Sequence, residues 1–125
     1  MSVVREESVM ARPRTQPRSV EHPAPAEFSL QSVLEALADP VRRMVVRQLA
    51  RAGQDMSCGT FDLPVSRSTA THHFSVLREA GVLRQYYVGT TKMNALRAEE
   101  MEARFPGLLP ALVAAEEREH TAISA

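Results

Sequence analysis

The sequence predicts a mainly α-helical chain carrying one β-hairpin wing. Three observations predict it. Apolar residues recur at helical spacing in four stretches: Leu30/Val33/Leu34/Leu37, Val41/Met44/Val45/Leu49, Ala70/Phe74/Leu77 and Leu109/Leu112/Val113. Start and stop signals punctuate these stretches: Asp39-Pro40, Gly53, Ser66, Gly81 and Pro110. Aromatic residues are only 5% and Trp is absent, so the core must be aliphatic, which favours packed helices. The expected order is helix, helix, short helix, turn, helix, hairpin, helix. A short helix, a tight turn and a longer helix make a helix-turn-helix, and a hairpin directly after it makes a winged one.

Taken in order, residues 1–27 read as a disordered tail, with Pro13, Pro17, Pro23 and Pro25, few apolar residues and no period. Met10 is an alternative start. Arg12, Arg14 and Arg18 belong either to a solvated tail or to a weak phosphate-contacting arm. Order is expected from Phe28, and a single winged unit over 28–121. Asp39 reads as an N-cap with Pro40 at the first helical position, and Gly53 as the stop. Arg43, Arg47 and Arg51 repeat on a separate face and read as solvated, with a phosphate-contacting flank as the alternative. Residues 57–63 allow no more than two helical turns before Pro64. Ser66 caps the next helix and Gly81 closes it. Val82 to Tyr87 and Thr91 to Leu96 are strand candidates joined through Val88-Gly89-Thr90. Residues 98–104 make a polar turn of helix, Pro106-Gly107 interrupts it, and Pro110 suits the start of the last helix.

The 125 residues suffice for one core. No apolar run approaches the length of a membrane span, and the amino terminus has no signal-peptide core. One cysteine allows no intrachain disulfide. A soluble cytoplasmic protein is the expectation. Net charge is zero, but its distribution is uneven. Residues 66–92 carry Arg67, Arg78, Arg84 and Lys92 against Glu79, a net of +3. Residues 93–125 carry three Arg against six Glu, a net of −3. The first region suits an anion.

The stretch SRSTATHHFSVLREAGVL (66–83) gathers Ser66, Ser68, Thr69, Thr71, Ser75 and two histidines. On a helix, Arg67, Ser68, Thr71, His72 and Ser75 lie away from the Ala70/Phe74/Leu77 face. Short hydroxyl side chains let a helix sit deep in a major groove, and Arg67 can pair bidentately with guanine. His72 points outward to a base or phosphate. His73 points inward and is expected to hydrogen-bond within the fold. Catalysis is a poor reading, because no G-x-S-x-G elbow or oriented base accompanies these serines. Zinc is a poor reading too, because adjacent helical histidines project about 100° apart.

LADPVRRMVVRQLA (37–50) followed by SRSTATHHFSVLREAGVLRQYYVGT (66–90) resembles the ArsR family of winged-helix repressors. The resemblance covers roughly residues 28–98. It implies a homodimer joined by the first and last helices, and an inverted-repeat operator in double-stranded DNA read by Ser66, Arg67, Ser68, Thr69, Thr71, His72 and Ser75. The wing departs from the family pattern: Gly89 is followed by Thr90, Thr91 and Lys92 rather than arginine and aromatics. Arg84 and Lys92 remain as candidate phosphate contacts.

No cofactor and no membrane partner are expected, and no motif names an effector. The family's metal sensors carry Cys-x-Cys before the turn or His and carboxylate pairs on the last helix. This chain offers Cys58 alone, and Glu116 with His120 for an intersubunit site. Cys58 reads as a small core residue, with a redox switch as the alternative. The main expectation is a non-enzymatic, dimeric DNA-binding repressor. Its rival is a dimeric winged-helix module that binds a protein or small ligand and not DNA.

Overall fold

Among the described residues, three helices begin at a residue whose side chain caps the first turn, and two of these close on a left-handed glycine. The computed structural model describes residues 20–124. Helix α1 spans Leu30–Leu37 and is capped by Ser29, whose side chain accepts from the Ser32 amide. Helix α2 spans Pro40–Ala52; Asp39 accepts from the Val41 and Arg42 amides, and Gly53 closes the helix at φ 65°. Helix α3 spans Arg67–Ala80 between the Ser66 cap and Gly81 at φ 94°. Strands β1 (Met56–Ser57), β2 (Leu83–Val88) and β3 (Thr91–Leu96) form an antiparallel sheet in the order β1-β3-β2. Helices α4 (Ala98–Arg104) and α5 (Leu108–Ser124) complete the fold.

The core lies where α1, α2, α3 and the sheet converge. Val33, Val45, Val46, Leu77, Val82 and Leu83 are wholly buried there, with Met101 of α4 and Leu109 of α5 closing one side. Burying side chains of this size contributes about 1.5–3 kcal/mol each. Gly81 could hold no other residue: a Cβ there would sit 2.4 Å from the Phe28 ring, and the left-handed backbone disfavours one anyway.

Several features differ from the sequence reading. The short helix expected over 57–63 is a single 3-10 turn, Cys58–Thr60. Its chain is instead drawn into the sheet, since Met56 and Ser57 pair with Asn94 and Met93 as β1. Phe61 then packs on Phe74 of α3 at 5.1 Å between ring centroids. The hairpin turn is Gly89-Thr90, because Val88 still pairs with Thr91. The last helix begins at Leu108, two residues before Pro110.

The arginines of α2 form a solvated face only in part, with Arg51 alone exposed. Arg47 is buried, Arg43 pairs with Glu116 of α5, and Arg51 pairs with Glu117 at 3.5 Å. The long side chains reach across to a helix that the sequence places some 70 residues away. On α1 the apolar stripe splits. Val33, Ala36 and Leu37 enter the core, while Leu30 and Leu34 stay 49% and 46% exposed.

Residues 20–27, assigned to the tail, lie against the fold. Pro25–Glu27 form a 3-10 turn, the Gln85 amide donates to His22 Nε2 at 2.9 Å, and Arg97 Nη1 donates to Pro23 O at 2.8 Å. These docking bonds are long-range, so no local pattern announces them. Arg12, Arg14, Arg18 and Met10 lie outside the described residues.

Candidate nucleic-acid interface

The helix-turn-helix is held at three points. Gln48 of α2 clamps the loop before α3: its Nε2 donates to Asp62 O at 2.8 Å and its Oε1 accepts from the Asp62 amide at 3.0 Å. The Phe61–Phe74 contact pins the same loop to the buried side of α3. The third point is Arg42 of α2, whose Nη1 donates to Nδ1 of the buried His73 at 3.1 Å. His73 therefore turns inward as expected.

The opposite side of α3 faces solvent. Arg67, Ser68, Thr71 and His72 are exposed and Ser75 is half-buried. The hydroxyls are already partly engaged. Ser66 Oγ accepts from the Thr69 amide at 3.2 Å, donates to Thr69 Oγ1 at 3.1 Å and lies 3.3 Å from Ser68 Oγ. Thr71 Oγ1 donates to Arg67 O at 3.0 Å. The Ser68, Thr69 and Thr71 oxygens each keep a lone pair for a further donor. Among the described residues, no hydrogen bond or ion pair engages the Arg67 guanidinium. This cation stands at the helix amino end, where free amides also favour an anion.

The wing separates two residues that the sequence grouped together. In the register, Tyr87 faces Lys92 and Gln85 faces Asn94, while Arg84 faces Ala95. Opposed residues share a sheet face, so Lys92 lies on the Gln85 side, which packs on α3, and Arg84 lies on the other. Lys92 sits 5.8 Å over the Tyr87 ring, near the tip. Arg84 sits 4.5 Å over the Tyr86 ring, whose hydroxyl donates to Asp55. That bond, with burial, pushes the Tyr86 phenol above its ordinary value. Alternation along each strand already carries this separation in the sequence, once the turn is known to be two residues.

A polar chain joins wing and α3, and no sequence pattern pointed to it. Arg78 Nη1 donates to Gln85 Oε1 at 2.7 Å, and Gln85 Nε2 to Asn94 Oδ1 at 2.8 Å. Asn94 Nδ2 donates onward to Met56 O and to Cys58 Sγ, at 3.3 Å and 3.2 Å. Arg78, counted among the basic residues, is thereby spent inside the fold. Cys58 is half-buried and packs against the core. Glu116 is held by Arg43, and His120 is exposed one turn further along α5. A metal shared between subunits would have to draw Glu116 off that arginine. Among the described residues, no group of three or more His, Cys, Asp or Glu lies close enough to hold a metal ion, and no helix is long and apolar enough to cross a membrane.

Fold and outward face together define a winged helix-turn-helix DNA-binding transcriptional regulator. A family model described as a helix-turn-helix domain matches residues 37–86. The HTH-type transcriptional regulator YceK of Bacillus subtilis is 33% identical over 82 residues, spanning 64% of this chain and 82% of that protein. Rv2034, an HTH-type transcriptional regulator of Mycobacterium tuberculosis, is 37% identical over 73 residues, 52% of this chain and 68% of its own. An ArsR-like transcriptional regulator from Rhodococcus sp. RHA1 superposes with a TM-score of 0.54 at 28% identity, covering 75% of this chain and 88% of its own. The ArsR family transcriptional regulator RHA00566 shares the fold at the same TM-score and 22% identity, over 74% of this chain and 96% of its own. The chain belongs to the ArsR-like winged helix-turn-helix transcriptional regulators.

Proposed function

We propose that this regulator is a cytoplasmic, non-enzymatic, dimeric repressor that reads an inverted-repeat operator with α3 and releases it on a signal yet to be identified. The observation that carries the reading is the exposed set Arg67, Ser68, Thr71 and His72 at the amino end of α3, where Arg67 has no partner among the described residues. Arg67 reads a base, and Ser68, Thr71, His72 and Ser75 line the groove. Ser66 and Thr69 orient the helix end and can share hydrogen bonds with phosphate oxygens. Lys92 takes a phosphate beside the wing tip. Arg84 reaches DNA only from the far face of the wing, so its contribution is the smallest.

The dimer joins α1 to α5 across a two-fold axis. Leu30 and Leu34 are large apolar side chains left in water, and an open apolar groove of about 980 Å³ runs beside α5, lined by Ala50, Leu96, Leu109, Pro110, Val113 and Ala114. Two exposed leucines on α1 and an open apolar groove beside α5 are what a subunit interface covers. The folded unit in this reading is 28–121, with residues 20–27 as an ordered approach to it.

Selection from random double-stranded oligonucleotides with the purified chain tests the whole reading. An inverted repeat with half-sites about one helical turn apart is the expected result. Recovery of no sequence preference would favour the module that binds a protein or small ligand instead.

A further inference from the structure

Two consecutive arginines follow the Asp39-Pro40 cap, and they treat α1 alike. Arg42 Nε donates to Ala36 O at 2.6 Å; Arg43 Nη1 donates to Leu37 O at 2.8 Å and Ala38 O at 3.0 Å. Together they satisfy carbonyls that the end of α1 leaves without helical partners. Arg42 alone goes further, since its Nη1 also reaches His73 in the middle of α3. One guanidinium thus ties the end of α1, the first turn of α2 and the buried side of α3.

This contact fixes the state of the imidazole. A guanidinium only donates, so Nδ1 must carry a lone pair and the ring proton must sit on Nε2. A second proton could go only to Nδ1, where it would set two donors and two cations against each other at the same 3.1 Å. We propose that Arg42 and His73 form a positioning lock that sets the attitude of α3 against α1 and α2, and that the lock holds only while His73 is unprotonated. The inference rests on the reading of α3 as the base-reading helix.

The surroundings of His73 agree. Burial holds the imidazole below its ordinary value; Asp39 opposes that shift, and the charges of Arg42 and His72 add to it. Asp39 faces it from the cap of α2, Arg42 from α2 and His72 from its own helix. From α1, Glu35 turns its carboxylate to Gln31 Nε2 at 2.8 Å. A folded-state value below the ordinary one means that folding favours the neutral ring. The stabilisation is complete above about pH 6.5 and is lost as pH falls through the folded value.

The test is affinity for the selected operator and for scrambled DNA, one pH unit above and one below about 6.5. Operator affinity should fall about tenfold on acidification, while affinity for scrambled DNA should not fall. His73→Gln keeps an acceptor for Arg42 but cannot titrate, so it should bind normally at the higher pH and lose the acid limb. His72→Gln should keep the limb. A flat wild-type profile, or an unchanged limb in His73→Gln, would overturn the proposal. Nitrogen-15 shifts of the His73 ring in the wild type decide the matter should His73→Gln fail to fold or no DNA be selected. A proton on Nε2 with Nδ1 bare at neutral pH supports the lock, and a proton on Nδ1 refutes it.

Discussion

The α3 and wing surface and the exposed faces of α1 and α5 handle charge and apolar surface in opposite ways. On the first, the helix buries Phe74 and Leu77 completely and leaves Arg67 in water without a partner among the described residues. On the second, Arg43 and Arg51 are paired with Glu116 and Glu117, while Leu30 and Leu34 are left in water. One side offers unmatched charge and the other unmatched apolar area. A surface asks for what it has not satisfied internally: a polyanion in the first case and a second copy in the second.

The largest effect expected from breaking this contrast is on the apolar side. Leu30→Glu with Leu34→Glu should abolish the dimer while keeping the monomer folded, because both positions are already half in water. Each carboxylate would enter a two-fold interface twice, at a cost of about 3 kcal/mol or more. Sedimentation with far-UV circular dichroism reads both consequences, and an undisturbed dimer would remove this interface. Leu112→Glu is a poorer probe, since Leu112 also packs against the core.

Arg67→Ala comes next. It should cost operator binding roughly 1–3 kcal/mol and relax one base position per half-site, with the melting temperature unchanged. Equal weakening on operator and scrambled DNA would make Arg67 a phosphate contact instead. Arg43→Met should do the reverse, lowering stability by about 2 kcal/mol through its lost charge-assisted bonds to Glu116 and to α1. Operator discrimination should survive in the molecules that remain folded. Arg51→Ala, at a largely exposed pair, should stay within about 0.5 kcal/mol in the same denaturation series. A large effect there would mean that α5 is held more tightly than its ion pairs suggest.

Of the two DNA-contact substitutions, Lys92→Ala is the milder. It should weaken all DNA alike and reduce the slope of log affinity against log salt by about 1. A loss of sequence preference would sharpen the contrast differently, by giving the wing a share in reading bases.

What could be read in advance follows the range of the interactions. Caps are local, so Asp39, Gly53, Ser66 and Gly81 bounded their helices correctly from sequence. The hairpin came from two short strand candidates flanking Gly89, and the inward turn of His73 from helical periodicity. Strand β1 was missed because two residues carry no period. The pairing of Arg43 and Arg51 was missed because their partners lie on α5, and a basic stripe looks the same whether water or carboxylates face it. Arg42 was overlooked for a related reason: its three partners belong to α1 and α3, and no spacing within α2 reveals them. At the candidate interface the exposed residues of α3 were legible from helix geometry, whereas the side of the wing on which Arg84 lies needed the register.

The bond from the Gln85 amide to His22 bears on how the protein tolerates shortening. Strand β2 is an outer strand of the sheet, and His22 covers one of its outward amides. A chain trimmed to begin at Phe28 would keep every residue of the buried cluster and lose this cover. Outer strands with bare amides recruit one another, so the trimmed protein should melt at nearly the same temperature yet scatter light increasingly with concentration. Restoring residues 20–27 should clear the solution, which would make that segment a guard against self-association rather than a contributor to stability.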